Sequence, residues 1–270
     1  MCNTLKAQGQ PRIPVALVLL LIIACFCIGF GILLGAIDIP QQAAYEEISR
    51  NTSYTPIIQP AITDNVSVTV TLKQASQHTA RDWNTLWEIN SQTTAWVTVE
   101  NTTIDYPVVS TSSREEEEWY LYHTLWGDWS VLGTPFIDYR CAYVQEPHHM
   151  LVYGHHMTSS DAMFSMLQDA YLQDCFDTLA SLVWDTPSSS LILQPLCALT
   201  VDASWEQIQR FDFDSDDDYR SWLFDTLNCA TAVSPDAHAL LLNATHDITL
   251  VTCTSNISNQ PERTLVIWVL

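Results

Sequence analysis

Cys253 closes the apolar run Thr249-Leu250-Val251-Thr252-Cys253, and Arg263 opens a second apolar run ten positions later. The only Gly-His step in the chain, Gly154-His155, ends a third run about a hundred residues upstream, in Leu151-Val152-Tyr153-Gly154-His155-His156-Met157. Together these residue types point to acyl transfer through a thiol. A thiolate attacks a carbonyl well, but a free Cys is mostly protonated near neutral pH and needs an imidazole to take its proton. His155 suits that task. The tetrahedral intermediate then carries negative charge on the former carbonyl oxygen, which a fixed cation or paired N–H donors stabilise. Arg263 stays charged and presents its donors in a rigid fork, and no other Lys or Arg follows Arg220 in the chain.

Taken singly, each residue has a duller explanation: a solvated His, a Cys that bridges, an Arg that caps a strand. Their joint placement at the ends of apolar runs is what argues for a site. Neighbouring side chains at a strand end point to opposite faces, so only one of His155 and His156 can meet Cys253. His123, His148, His149 and His246 have no companion Cys or acid at a metal-binding spacing, so none of them is expected to be a metal ligand.

From Ala95 onward the chain is built of short β-branched and aromatic runs, Trp96–Val99, Tyr106–Val109, Thr134–Ile137, Met150–Tyr153, Ser190–Leu193, Thr249–Thr252 and Thr264–Leu270. They predict a mostly-β domain with helices, closed or nearly closed into a barrel. Helical spacing predicts helices over Ala80–Ile89, over Ala162–Leu172 as a core-packing element, and over Ser215–Leu227. Ser215 would cap the last of these, and the acids of Asp214–Asp218 suit its N-terminus. Gly154, one of three glycines after residue 37, is expected to let the chain turn sharply before His155.

Ile13–Ile37 is a 25-residue run without a charge, long enough to cross a bilayer and too long for the core of a signal peptide. Lys6 and Arg12 precede it and every acid follows it, so residues 1–12 are expected in the cytoplasm and the rest outside, single-pass in the cell membrane. Residues 38–75 show no sustained period and read as a stalk, with a short helix over Ala43–Ser49; residues 76–270 make the main domain. The outer part carries 31 acids against eight bases, a formal charge of −23. Nucleic acid is therefore excluded as a partner, since it is bound through clustered Lys and Arg. Of eight cysteines, Cys141, Cys175, Cys197, Cys229 and Cys253 lie in the outer part. If Cys253 stays a thiol, the other four either form two disulfides or pack as small hydrophobes.

The run ending at Cys253 resembles the Thr-Leu-x-Thr-Cys signature of sortases, and the spacing to Arg263 and the segment Tyr153-Gly154-His155-His156-Met157 are similar to those of class B. Ile104-Asp105-Tyr106-Pro107-Val108-Val109, Tyr120-Leu121-Tyr122-His123 and Ser130 through Asp138 resemble further blocks of that family in the same order, over roughly residues 80–270. The resemblance implies an eight-stranded sortase-type β-barrel with N-terminal helices, preceded here by one transmembrane helix, and a long helix before the Cys strand that helps wall the groove. It implies a cysteine transpeptidase with His155, Cys253 and Arg263 as catalytic residues and Leu121, Val251, Thr252 and Thr254 as substrate-binding residues. Its substrates would be secreted proteins with a C-terminal sorting signal, cleaved after Thr through a thioacyl intermediate and joined to a peptidoglycan-precursor amine in a Gram-positive cell wall, with no cofactor. A pilin Lys amine is the alternative acceptor, disfavoured because Thr264–Leu270 is not followed by a second span. A catalytically idle, membrane-anchored binding module is the alternative of another class. Two departures stand out: Glu115–Glu118 replace an Asp-Asn pair, and Val251 stands where class B enzymes often have Ser.

Overall fold

Gln41, Tyr45, Ile48 and Thr52 recur at the spacing of one helical stripe, and all four are buried on a helix running through residues 40–52, α1. The stripe mixes amide, phenol, alkyl and hydroxyl groups, which is why no hydrophobic period marks it in the sequence. The helix does not stand off as a stalk. Tyr45 Oη bonds with Thr134 Oγ1 at 3.2 Å, and Gln41 Nε2 donates to Gly133 O at 3.1 Å. A two-residue strand, β1 (Ser53–Tyr54), pairs with β2 (Ala80–Arg81). Arg81 is buried, donates to Asp105 at 3.2 Å and lies 3.9 Å from the Trp96 ring centroid, tying this N-terminal segment to the barrel. The computed structural model describes residues 40–54, 80–144, 147–158, 160–254 and 261–270. The expected membrane span at 13–37 lies outside the described residues, as does most of the expected stalk. Among the described residues no helix is long and apolar enough to cross a membrane.

After a short helix, α2 (Trp83–Ile89), capped by Asp82, the barrel begins with β3 (Thr93–Val99) and β4 (Asp105–Ser110). Helix α3 (Arg114–Tyr120) leads to β5 (Phe136–Ile137) and β6 (His149–Tyr153). A four-residue helix, α4 (Gln173–Phe176), precedes β7 (Leu182–Asp185) and β8 (Ser190–Asp202). Helix α5 (Asp216–Leu227), β9 (Ala232–Val233) and α6 (Ala237–Asn243) then lead to β10 (Asp247–Cys253) and β11 (Glu262–Val269). The sheet runs β11-β10-β6-β5-β4-β3-β7-β8 and closes through β11–β8, with β9 added on β8. Eight strands thus form a closed barrel around Trp96, Trp268, Tyr106 and Leu250, all fully buried. Pro195 is tolerated inside the long β8 because it sits where the register against β11 shifts between Ile267 and Trp268, and a bulge needs one fewer ladder bond.

The helix expected over Ala162–Leu172 is replaced by turns, with one 3₁₀ segment at Ser165–Leu167. Met163 has φ +54°, a left-handed conformation that breaks a helix at once. Its N–H donates to Tyr106 Oη at 3.0 Å, and Phe164 N–H donates to His155 O at 3.0 Å, so tertiary contacts override the local period. Helix α5 forms as its sequence predicts, with Ser215 Oγ accepting from Asp218 N–H.

A polar group sits at the base of the barrel where a sequence reading finds only two adjacent histidines. His149 on β6 faces Asp247 on β10 in register, and both are fully buried. His149 Nδ1 bonds with Asp247 Oδ2 at 2.7 Å and Nε2 donates to Ile208 O at 3.0 Å. Tyr219 Oη from α5 and Thr249 Oγ1 also donate to the carboxylate, at 3.1 Å and 2.9 Å. Removing one partner of such a pair strands the other in a dry interior. His149→Ala should therefore lower unfolding free energy by about 3–5 kcal/mol in urea denaturation; a loss below about 1 kcal/mol would show the pair to be dispensable.

Candidate active site

Three neighbouring strands bring His155, Cys253 and Arg263 to one edge of the barrel. Cys253 and Arg263 are cross-strand partners on β10 and β11. Thr254 N–H reaches toward Glu262 O at 3.4 Å, which makes the preceding pair the non-hydrogen-bonded kind, with Cα atoms about 4.5 Å apart and side chains on one face. On the other side β6 runs parallel to β10 with Tyr153 opposite Val251, and Gly154 N–H donates to Val251 O at 3.1 Å. Two residues on lie Cys253, the last of β10, and His155, just past the end of β6. The row His155, Cys253, Arg263 therefore follows from register.

Gly154 has no left-handed φ, so the expected sharp turn is not its reason. A Cβ there would lie 2.5 Å from Phe164 Cδ2, so the glycine lets the Phe164 ring close against the strand that carries His155. The imidazole is fixed from the other side by Leu121, whose carbonyl accepts from His155 Nε2 at 2.7 Å. A carbonyl only accepts, so Nε2 holds the proton and Nδ1 is left for chemistry. Burial lowers the His155 pKa and the Leu121 bond offsets this in part. Leu121 O is itself packed by Gly133, φ +62°, where a Cβ would lie 2.6 Å away. His156 does not line the cleft with His155; it lies against the Cys253 backbone and Gln168.

A cleft of about 490 Å3 is lined by all three residues of the row and by Leu121, Val251 and Thr252, a size that suits a short peptide segment. Thr254 is not on its wall; its hydroxyl bonds with Thr264 Oγ1 at 3.1 Å. The floor carries residues that spacing did not single out. Asp138 accepts from Arg140 Nε and Nη2 at 2.8 Å and 2.6 Å and from Tyr153 Oη at 3.0 Å. Arg140 Nη1 donates to Gln209 Oε1 at 2.8 Å, holding the far wall. That wall is the end of β8 and the turn Glu206–Gln209, and α5 stands behind it with Trp222 Nε1 donating to Gln207 O at 2.8 Å. The long helix thus supports the groove without lining it. Glu117, from the acidic run on α3, lines the cleft and accepts from Tyr139 N–H at 2.8 Å. Burial, helped by the Asp138 charge, pushes its pKa up to about 7.

Cys141, Cys175, Cys197, Cys229 and Cys253 are all free thiols. Burial pushes the Cys141 thiol up to about 12 and raises Cys197 further, so both are inert side chains of the core. Cys253 is half-exposed and opens on the cleft.

No family model matches the chain. The chain is similar to sortase B of Staphylococcus aureus, 24% identical over 196 residues, which covers 73% of this chain and 77% of that protein. The solved Staphylococcus aureus sortase B–substrate complex superposes with a TM-score of 0.58 at 25% identity, covering 69% of this chain and 82% of that one. Sortase B of Bacillus anthracis gives a TM-score of 0.64 at 20% identity over 87% of this chain and 98% of that one, a likeness of fold. The eight-stranded barrel with its helices is that of the sortase fold.

Two substitutions test this geometry. Gly154→Ala should destabilise the protein by roughly 1–3 kcal/mol through overpacking against Phe164, and trimming the ring in Gly154→Ala/Phe164→Leu should recover part of the loss on thermal denaturation. A Glu with a raised folded-state pKa contributes stability that is present below about pH 4.5 and lost as pH rises through about 7. Glu117→Gln keeps the acceptor for Tyr139 N–H but cannot ionise, so relative to the native protein it should gain roughly 1–3 kcal/mol between about pH 5 and pH 8. A pH-independent difference would show that the carboxyl is not desolvated.

Proposed function

We propose that this class B-like sortase, a cysteine transpeptidase, is anchored by residues 13–37 and works on the outer face of the cell membrane. Its substrates would be secreted proteins that carry a C-terminal sorting signal. The observation that carries the reading is the row of His155, Cys253 and Arg263 on one cleft wall. The sortase B–substrate complex of the relative supports a peptide as occupant of that cleft.

In this reading Cys253 Sγ, having lost its proton to His155, bonds to the carbonyl carbon of a Thr in the signal. The electron pair moved onto the oxygen is held by the Arg263 guanidinium. The C–N bond then breaks, and the leaving amine takes the proton from His155 Nδ1. A lowered pKa makes the imidazolium a stronger acid, which suits that transfer. An incoming amine of a peptidoglycan precursor attacks the thioester, gives a proton back to His155 and frees Cys253. No step needs a cofactor. Membrane lipid is a partner only through the anchor.

The test is to incubate the full chain with a library of sorting peptides and an amine acceptor, and to weigh the protein. Cys253 should gain the mass of the acyl fragment, and Cys253→Ala should gain nothing. His155→Ala should lower kcat by about 10²–10⁴-fold, whereas His156→Ala should keep most of the activity. Comparable losses in both variants, or a free Cys253 thiol that no peptide modifies, would refute the assignment, the latter favouring an idle binding module. Product formed with a pilin lysine and not with a peptidoglycan amine would move the acceptor to pilus assembly.

A further inference from the structure

Two exposed indoles stand on one short loop between α3 and β5. Trp126 is 40% exposed and Trp129 63%, with only Gly127 and Asp128 between them. The loop is ordered. Gly127 N–H donates to Thr124 O at 2.9 Å, Thr124 N–H to Asp128 O at 2.8 Å and Ser130 N–H to Tyr122 O at 2.8 Å. An ordered turn that holds two large aromatic rings in water marks a contact surface. Nearby Trp119 is already taken up by stacking on His123, ring centroids 3.9 Å apart. Over 121–133 the chain has one acid, Asp128, and no Lys or Arg, in an outer part whose formal charge is −23.

The position of this loop relative to the apolar run decides what it meets. Gln41, in the first turn of α1, bonds to Ser130 Oγ and to Gly133 O. Tyr45, one turn on, lies 5.4 Å from Trp126 between ring centroids. Only Asp38, Ile39 and Pro40 separate Gln41 from Ile37, the end of the apolar run. Four Cα steps reach at most about 15 Å, and the headgroup layer outside the hydrocarbon is itself about 6 Å deep. The loop next to Ser130 is therefore held close to the membrane surface. Indole, apolar with one N–H donor, is a side chain that partitions to that layer.

We propose that the Trp126–Trp129 loop seats its two indoles in the outer headgroup layer of the membrane crossed by residues 13–37. The inference rests on the anchor of the preceding subsection. It makes the attachment two-point, a span and a docked loop, and so fixes the tilt of the barrel. The same segment begins at Leu121, whose carbonyl holds His155, and at Tyr122, which lines the cleft. The cleft mouth accordingly opens beside the membrane. The lipid would be zwitterionic, because Asp128 and the acidic domain oppose an anionic surface.

The test uses the full chain in phosphatidylcholine vesicles whose acyl chains are brominated near the headgroup. The apolar run contains no Trp, so quenching reports only on the outer domain. With two of the 10 Trp in the loop, emission should fall by roughly a tenth to a fifth against unbrominated lipid. Trp126→Phe/Trp129→Phe should abolish the loss. Because Trp126 also packs on Tyr45, Trp129→Phe alone, at the more exposed site, should remove about half of it. A chain that floats with the vesicles after an alkaline wash but shows no quenching would overturn the docked loop and leave the anchor standing. Quenching that persists in the double variant would also overturn it, by assigning the contact to other tryptophans. A chain that does not float would overturn the anchor itself, and the loop with it.

Discussion

The parallel pairing of β6 with β10 has no hairpin to set its register, and a slip of one residue would turn every side chain to the opposite face. His149 and Asp247 meet directly across this pair and are dry, so a shifted register would bury a carboxylate without its donors. From that lock the two strands run side by side to the barrel edge, where the next residues in step are His155 and Cys253. The hairpin-like pairing of β10 with β11 then adds Arg263. A buried polar contact at one end thus governs the alignment of reactive groups at the other.

The same contact reaches sideways. Ile208 O, which His149 holds, belongs to the cleft wall, and Tyr219, which shares Asp247, belongs to the helix that braces this wall. Arg140 ties the opposite floor to Gln209 on the wall. The groove is therefore bounded by irregular segments, yet each is fixed by a bond to a barrel strand or to α5. This is how loops can shape a site without leaving it loose.

Most strands were legible in the sequence, because β-branched runs such as Met150–Tyr153 and Thr249–Thr252 are bounded by turn residues and fill both faces. The seat of Ser215 at the N-cap of α5 was legible for the same local reason. What escaped depends on distant partners. Strand β7 is four residues long and is recruited by pairing with β3 and β8. The stripe of α1 is half polar, since it bonds to the turn at Gly133 in place of burying alkyl groups. The run Ala162–Leu172 has helical spacing, but Tyr106 and His155 capture its backbone first. At the site, Cys253 and Arg263 were legible as a pair because only one turn separates them. Glu117 was legible only as part of the acidic run Glu115–Glu118, and Arg140 was not legible at all, because its place on the cleft follows from its bonds to Asp138 and Gln209.

The row of reactive groups is assembled from contacts that lie far apart along the chain. The bond between His149 and Asp247 spans 98 positions, and closure of β11 on β8 joins the last strand to the middle of the sequence. Pairings of such separation form slowly, after local turns and helices. Early folding can therefore shape α5 and the β3–β4 and β10–β11 pairs, which sets Arg263 beside Cys253 while His155 is still absent. The imidazole arrives only when β6 aligns with β10, so thiol and guanidinium stand as a pair before the third side chain of the row is beside them.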